Sequence, residues 1–274
     1  MSLAEALEMA TATDPGMVRS HNEDSIFADP AQGLAVLADG MGGYNAGEVA
    51  SGMATTLIAA ELTGLGADVV TLAGEPDRGR MRVEALLRER IEKANKAIFD
   101  ASQTEPQYAG MGTTLVVALF YDNRVALAHI GDSRAYRLRG DELVQVTKDH
   151  SLLQEQIDSG MITPEQARYS QNKNLVTRAL GIDPIVDAEI HEHATQPGDI
   201  WLLCSDGLND MVSDDDIAIT LGSLAANLQL AADQLVQMAN DNGGRDNVSV
   251  ILVKVVRDFG APRSVLARLL DRFR

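Results

Sequence analysis

Apolar runs joined by tight turns constrain this chain more than any other feature. Thr113 to Tyr121 reads as a strand, Asp122-Asn123 as its turn, and Arg124 to Ile130 as the return. Arg134 to Leu138 and Glu142 to Val146 repeat the pattern about Arg139-Gly140-Asp141. Runs this close pair antiparallel, because a parallel partner needs a crossover of about a dozen residues or more. Further strands are expected at Ala10 to Thr13, Ser25 to Ala28, Leu34 to Leu37, Val186 to His193, Ile200 to Cys204 and Val248 to Val255. Helical spacing marks Gly47 to Leu62 and Arg80 to Ala101, the latter with Val83, Leu86, Leu87, Ile91, Ala94 and Ile98 at three-to-four spacing and charges opposite. Shorter helices are expected at Ser151 to Ser159, Thr163 to Tyr169, Ser213 to Leu221 and Leu228 to Asn240, with Gly64 to Gly79 as a loop. Hairpin-paired strands with helices in blocks between them imply a single α+β domain, two antiparallel sheets with helices outside.

The chain has 274 residues, 45% of them hydrophobic, enough for a sizeable core. Its formal net charge of -17 argues against nucleic acid and against an anionic membrane surface. Such acidity suits a protein that gathers divalent cations, and equally one that is simply soluble. A single cysteine, Cys204, excludes an intrachain disulfide and a cysteine-rich zinc site; in Ile200-Trp201-Leu202-Leu203-Cys204 it reads as a core residue. No signal-peptide pattern opens the chain and no apolar run reaches the roughly 18 residues of a membrane span. A cytoplasmic location is expected.

One stretch stands out chemically. Gly33 to Ala38 reads as a buried strand that delivers Asp39 into Gly40-Met41-Gly42-Gly43. Glycine there lets backbone approach a ligand closely. Taken alone, the stretch reads equally well as a tight turn with a solvated aspartate. The pattern recurs, however, at Gly131-Asp132-Ser133, Ser205-Asp206-Gly207, Gly244-Arg245-Asp246-Asn247 and Asn22-Glu23-Asp24. Repeated acids at strand ends imply one common pocket. Aspartates without histidine or cysteine company suit magnesium or manganese, and paired ions of this kind support metal-assisted phosphoryl chemistry.

These residues also carry a family resemblance. Arg19-x-x-Asn22-Glu23-Asp24, Asp39-Gly40-Met41-Gly42-Gly43, Gly112-Thr113-Thr114, Gly131-Asp132-Ser133-Arg134, Asp149-His150-Ser151, Ser205-Asp206-Gly207 and Gly244-x-Asp246-Asn247 occur in order. Together they resemble the bacterial metal-dependent serine/threonine protein phosphatases of type 2C, the PPM family, from about residue 8 to 256. The resemblance implies a four-layer α-β-β-α sandwich with metals at one end. It implies that Asp39 bridges two manganese or magnesium ions and the Gly40 carbonyl completes one of them, that Asp206 and Asp246 hold the first, and that Glu23 holds the second, largely through water. Asp132 with Asp206 would hold a third. Arg19 would bind the substrate phosphate, Tyr44 would border the substrate, Asp24 would brace Arg19 or a metal water, and Asn247 would support the site. Thr113 and Thr114 are expected to be structural. A metal-activated water would attack phosphorus directly.

The resemblance further implies phosphorylated protein substrates, a cognate serine/threonine kinase to oppose, and a monomer. Met41 departs from the histidine that many eukaryotic relatives carry there, which leaves His21 and His150 as proton donors by motif, with loop support the favoured role for His150. His129 is expected to be a satisfied strand residue, and His191 and His193 to face solvent. Residues 157–180 correspond to the family's mobile flap. Residues 257–274 read as a basic amphipathic tail, with Val265, Leu266, Leu269, Leu270 and Phe273 on one helical face. Two other readings are a regulatory pseudophosphatase, which would lack a metal acid, and a small-molecule phosphohydrolase.

Overall fold

The computed structural model describes residues 2–43, 45–63, 76–167 and 175–260. Tyr44, most of the expected loop after residue 63, the polar stretch 168–174 and the tail from 261 onward lie outside the described residues.

Two antiparallel sheets face each other. The first holds β1 (Leu7–Asp14), β11 (Val248–Val255), β10 (Ile200–Cys204), β7 (Arg134–Arg139) and β8 (Glu142–Gln145), in that order. The second holds β2 (Asp24–Asp29), β3 (Leu34–Met41), β5 (Leu115–Tyr121), β6 (Arg124–Ile130) and β9 (Glu189–Ala194), with the short β4 (Gly112–Thr113) paired to β3. The Asp122-Asn123 turn places both residues at positive φ, +43 and +56°, which matches the twist of the β5–β6 hairpin.

Alternation explains the continuous apolar runs. Ala35, Leu37, Val116, Phe120, Trp201, Leu203, Ile251 and Val253 fill the space between the sheets. Their neighbours in sequence face outward and are covered in turn. Leu34, Val36, Leu115 and Val117 meet α2 (Ala46–Leu62) and α3 (Pro76–Thr104). Leu202, Cys204, Val250 and Leu252 meet α7 (Asp214–Ser223) and α8 (Leu228–Asp241). Strands buried on both faces lose the polar–apolar alternation usual in antiparallel sheets. This is the four-layer α-β-β-α sandwich expected from the sequence.

Most element boundaries fall within a few residues of expectation. β1 begins earlier, at Leu7, after a single helical turn α1 (Leu3–Ala6). At the other end Phe259 enters the inter-sheet core. The run from Gly112 is broken at Thr114 because that residue turns its bonding toward Asp39. The remaining helices are α4 (Leu152–Asp158), α5 (Pro164–Ala167) and α6 (Asp206–Asn209). His193 corrects one expectation: it does not point to solvent but sits half-buried with its ring 6.0 Å from Trp201, because β9 turns that face toward the other sheet.

Candidate metal centre

Strand register brings the acids to one end of the sandwich. Asp24 at the start of β2 pairs with Asp39 near the end of β3. In the facing sheet Cys204, the last residue of β10, lies beside Val250, so Asp206 emerges at the end where Asp246 and Asn247 enter β11. Asp132 sits in the connection from β6 to β7, where the chain crosses between the sheets.

The convergence is visible in the charges. Burial pushes the Asp39 carboxyl well above its ordinary range, and repulsion from Asp24, Asp206, Asp132 and Asp246 adds to it. Asp206 is raised by burial and then by Asp132, Asp210, Asp246 and Asp24. Asp24 and Asp132 are each pushed up to about 6, chiefly by desolvation. Burial also raises Glu23, against an opposing pull from Arg19. Acids that raise one another in this way call for a cation. The Oδ1 of Asp24 is buried without a hydrogen-bond partner, a further opening for a positive ligand. The donor set is oxygen throughout, which fits hard divalent ions such as manganese or magnesium.

Backbone and hydroxyl contacts hold these acids in place. The Asp39 N–H donates to Thr114 Oγ1 at 3.0 Å, and the Asp39 carbonyl accepts from Thr113 Oγ1 and from the Thr114 N–H, each at 2.9 Å. Both threonines are therefore structural, as expected. Thr114 Oγ1 continues to Ser133 Oγ at 2.7 Å, tying the Asp39 strand to the Asp132 turn. Ser205 Oγ donates to Asp24 Oδ2 at 2.8 Å and accepts from the Ser249 N–H at 3.0 Å, linking the sheets. Asn247 accepts from the Glu23 N–H at 2.8 Å and donates to the carbonyls of Pro15 and His21, so it pins the segment that carries Arg19 and Glu23.

Close approach accounts for two of the glycines. Ala46, Ala50 and Ala54 let α2 lie tight against its sheet. A Cβ on Gly40 would fall 2.1 Å from the Gly47 carbonyl oxygen, and one on Gly47 would fall 2.7 Å from Glu23 Oε1. Only bare backbone fits there.

Arg19 donates to Asp246 Oδ2 at 2.7 Å and remains half exposed, its side chain free to exchange partners. Asp24 meets Ser205 rather than Arg19, so among the described residues the partner of Arg19 is Asp246. Gly40 follows Asp39 directly, its N–H bonded to the Glu23 carbonyl at 3.1 Å. Tyr44 and the polar part of the expected flap lie outside the described residues. Both ring nitrogens of His150 are engaged, by the Gly131 N–H and by Glu189, so His150 is not free to protonate a leaving group. Cys204 is fully buried and its thiol is pushed up to about 12 by desolvation, which fits a core residue.

Sequence reasoning quoted Ser205, Ser133 and Asp149 within motifs but gave them no role, and it did not name the acids Asp210 and Asp214. The hydroxyls stand beside acids in Ser205-Asp206-Gly207 and Asp132-Ser133, which was the available signal. Asp210 and Asp214 carry no such mark. They join Asp132, Asp206 and Asp149 around a cavity of about 760 Å³ that opens beside the acid cluster.

The chain is similar to known proteins over most of its length. The family model described as protein phosphatase 2C matches residues 18–248. The serine/threonine protein phosphatase PstP of Mycobacterium tuberculosis is 41% identical over 264 residues, covering 95% of this chain and 48% of the relative. The chain thus spans about half the length of that relative. The serine/threonine phosphatase stp of Listeria welshimeri is 39% identical over 248 residues, covering 88% of this chain and 93% of the relative. A crystal structure of the PstP catalytic domain in complex with two manganese ions superposes with a TM-score of 0.78 at 40% identity, covering 92% of this chain and 99% of that one. Another, of the Mycobacterium tuberculosis PstP/Ppp phosphatase, gives a TM-score of 0.81 at 39% identity, covering 92% of this chain and 100% of that one. Motif order, sandwich architecture and these likenesses agree: this chain belongs to the protein phosphatase 2C family, alongside the bacterial serine/threonine phosphatases.

Proposed function

We propose that this chain is a metal-dependent protein phosphatase that hydrolyses phosphoserine and phosphothreonine on proteins and opposes a serine/threonine kinase in bacterial signalling. The observation that carries the reading is the cluster of acids Asp39, Asp24, Asp206 and Asp132, the last buried and the others part-buried, each raised above its ordinary range, with Asp246 and Glu23 beside them. In this reading Asp39 would serve two cations and the Gly40 carbonyl one of them, Asp206 and Asp246 would complete the first, Glu23 the second, and Asp132 with Asp206 would hold a third. Bound there, manganese or magnesium supplies a nucleophilic water at neutral pH and offsets charge on the phosphoryl oxygens.

The chain's own residues do the rest. Arg19 exchanges Asp246 for the substrate phosphate, a planar two-pronged contact that suits guanidinium. Asp24 fixes its sheet to the facing one through Ser205, so the acids keep their spacing. Asn247 holds Glu23 by its backbone. Met41 carries no proton to give, so the leaving-group proton comes from elsewhere than this position. The cavity beside Asp132 and Asp206 is large enough for residues flanking a phosphorylated side chain, which supports a protein substrate.

No helix among the described residues is long and apolar enough to cross a membrane, and a cytoplasmic monomer is part of the proposal. So are the bounds, a phosphatase domain over residues 8–256 followed by a tail over 257–274, with Leu7 and Phe259 just outside those bounds packed into the inter-sheet core. The test is phosphate release from a phosphothreonine peptide, with manganese and with chelator, for the wild type and for Asp39→Asn. Release should need the metal and should fall on the order of a hundredfold or more in the variant, the scale of losing one main electrostatic group. Near-normal turnover by a folded Asp39→Asn protein, or release that survives chelation, overturns the proposal.

A further inference from the structure

Outside the acid cluster, the donor atoms of His129, His150 and Glu189 lie within 4.8 Å of one another. Both histidines are buried, and their rings stack with centroids 4.8 Å apart at 20°. The spacing alone would admit a metal ion. The tautomers do not. Gly131 donates its N–H to His150 Nδ1 at 3.2 Å, which leaves the hydrogen of His150 on Nε2. That Nε2–H faces Glu189 Oε1 at 3.1 Å, so no lone pair remains there for a cation. His129 Nε2 lies 2.9 Å from the Lys148 carbonyl and likewise carries the hydrogen. Desolvation pushes Glu189 upward, yet the hydrogen bond from His150 and the adjacent imidazoles outweigh it and hold the carboxyl below its ordinary range. Glu189 is thus an ionised acceptor, and Glu189, His150 and Gly131 form a chain of directed hydrogen bonds on which His129 stacks.

That chain ends on the residue before Asp132. His150 grips Gly131 twice: its own N–H donates to the Gly131 carbonyl at 2.9 Å, and its ring accepts the Gly131 N–H. Gly131 stands at φ +102°, a conformation that L side chains avoid. Thr114 closes the other side, so close that a Cβ on Gly131 would lie 2.6 Å from Thr114 Cγ2. The direction of the Asp132 side chain therefore depends on a glycine held by the His150 ring. The ring in turn is held by Glu189 from β9 and by stacking on His129 from β6.

We propose that His150, anchored by Glu189 and His129, is a positioning residue for Asp132 and so sets the affinity of the cation that Asp132 shares with Asp206. The proposal rests on the reading of Asp132 as a metal residue. Ligand-orienting partners of this kind are worth roughly tenfold to a hundredfold in metal affinity.

The test is manganese binding by equilibrium dialysis and titration calorimetry, with unfolding checked by circular dichroism. His150→Ala should weaken one manganese equivalent by about tenfold or more, leaving the tighter ones unchanged. His150→Asn keeps an acceptor for the Gly131 N–H and should recover part of the loss. Glu189→Gln, a milder change far from the acids in sequence, should weaken the same equivalent by a smaller factor. In an Asp132→Ala background, His150→Ala should have no further effect. If Asp132→Ala loses no equivalent, the metal reading of Asp132 fails. If it loses one while folded Glu189→Gln and His150→Ala bind all equivalents as the wild type does, the positioning proposal is overturned. A uniform weakening of every equivalent also overturns it, because that is the signature of a general structural role.

Discussion

Replacing Asp132 by asparagine should stabilise the metal-free protein while weakening its hold on cations. Asp132 is only 7% exposed, and burial with the nearby Asp149 charge raises its pKa from 3.8 to about 6. A carboxyl that binds its proton more tightly in the folded state contributes stability below its unfolded pKa and loses it as the pH rises through the folded one. The difference of about 2.2 units, 6 minus 3.8, corresponds to about 3 kcal/mol lost by pH 7. Asparagine has the same shape and no charge to desolvate. In chelator at pH 7 the variant should therefore melt roughly 6 to 12 °C higher, at 2 to 4 °C per kcal/mol for a chain of this size. The gain should fall to about half by pH 5 and nearly vanish by pH 4, where the wild-type carboxyl is itself neutral. Manganese should reverse the order, because only the wild type gains the third binding term. Differential scanning calorimetry across pH, with chelator and with manganese, measures all of this. An equal melting temperature in chelator at pH 7, or a gain that does not shrink on acidification, would refute the claim that Asp132 is held ionised against its surroundings.

Three further perturbations follow from single contacts. Arg19→Lys keeps the charge but not the two-pronged geometry, and should raise KM for a phosphothreonine peptide by about tenfold with a smaller change in kcat, read by steady-state phosphate release. Gly131→Ala meets Thr114 at 2.6 Å in a left-handed conformation and should cost about 1 to 3 kcal/mol in urea unfolding, together with weaker manganese binding by calorimetry. Asn247→Ala strips the Glu23 N–H and the Pro15 and His21 carbonyls of their partner, and should cost about 1 to 3 kcal/mol and loosen residues 15–23 in amide exchange.

Glycine-flanked acids and hairpin-joined apolar runs were legible in the sequence because each is a local pattern. The period of the strands gave the sheets, and the recurrence of Asp beside Gly gave the candidate site before any coordinates. Asp39, Asp132, Asp206 and Asp246 were named that way, and Glu23 by its place at a strand edge and by the family motif. What the period could not give was partners. The Ser205 link to Asp24, the Asn247 hub and the His150–Gly131–Glu189 chain join residues far apart in sequence, and hydrogen-bond geometry exists only once the sheets are stacked. His193 shows the same limit: alternation set which residues share its face, but only the packing of β9 against the other sheet decided that this face was inward. Residue type and spacing thus determined that this chain carries a carboxylate site. Tertiary structure decided that the carboxylates are brought together with much of their surface withdrawn from water, and so raise one another's pKa, because charge repulsion depends on distances that the one-dimensional order does not contain.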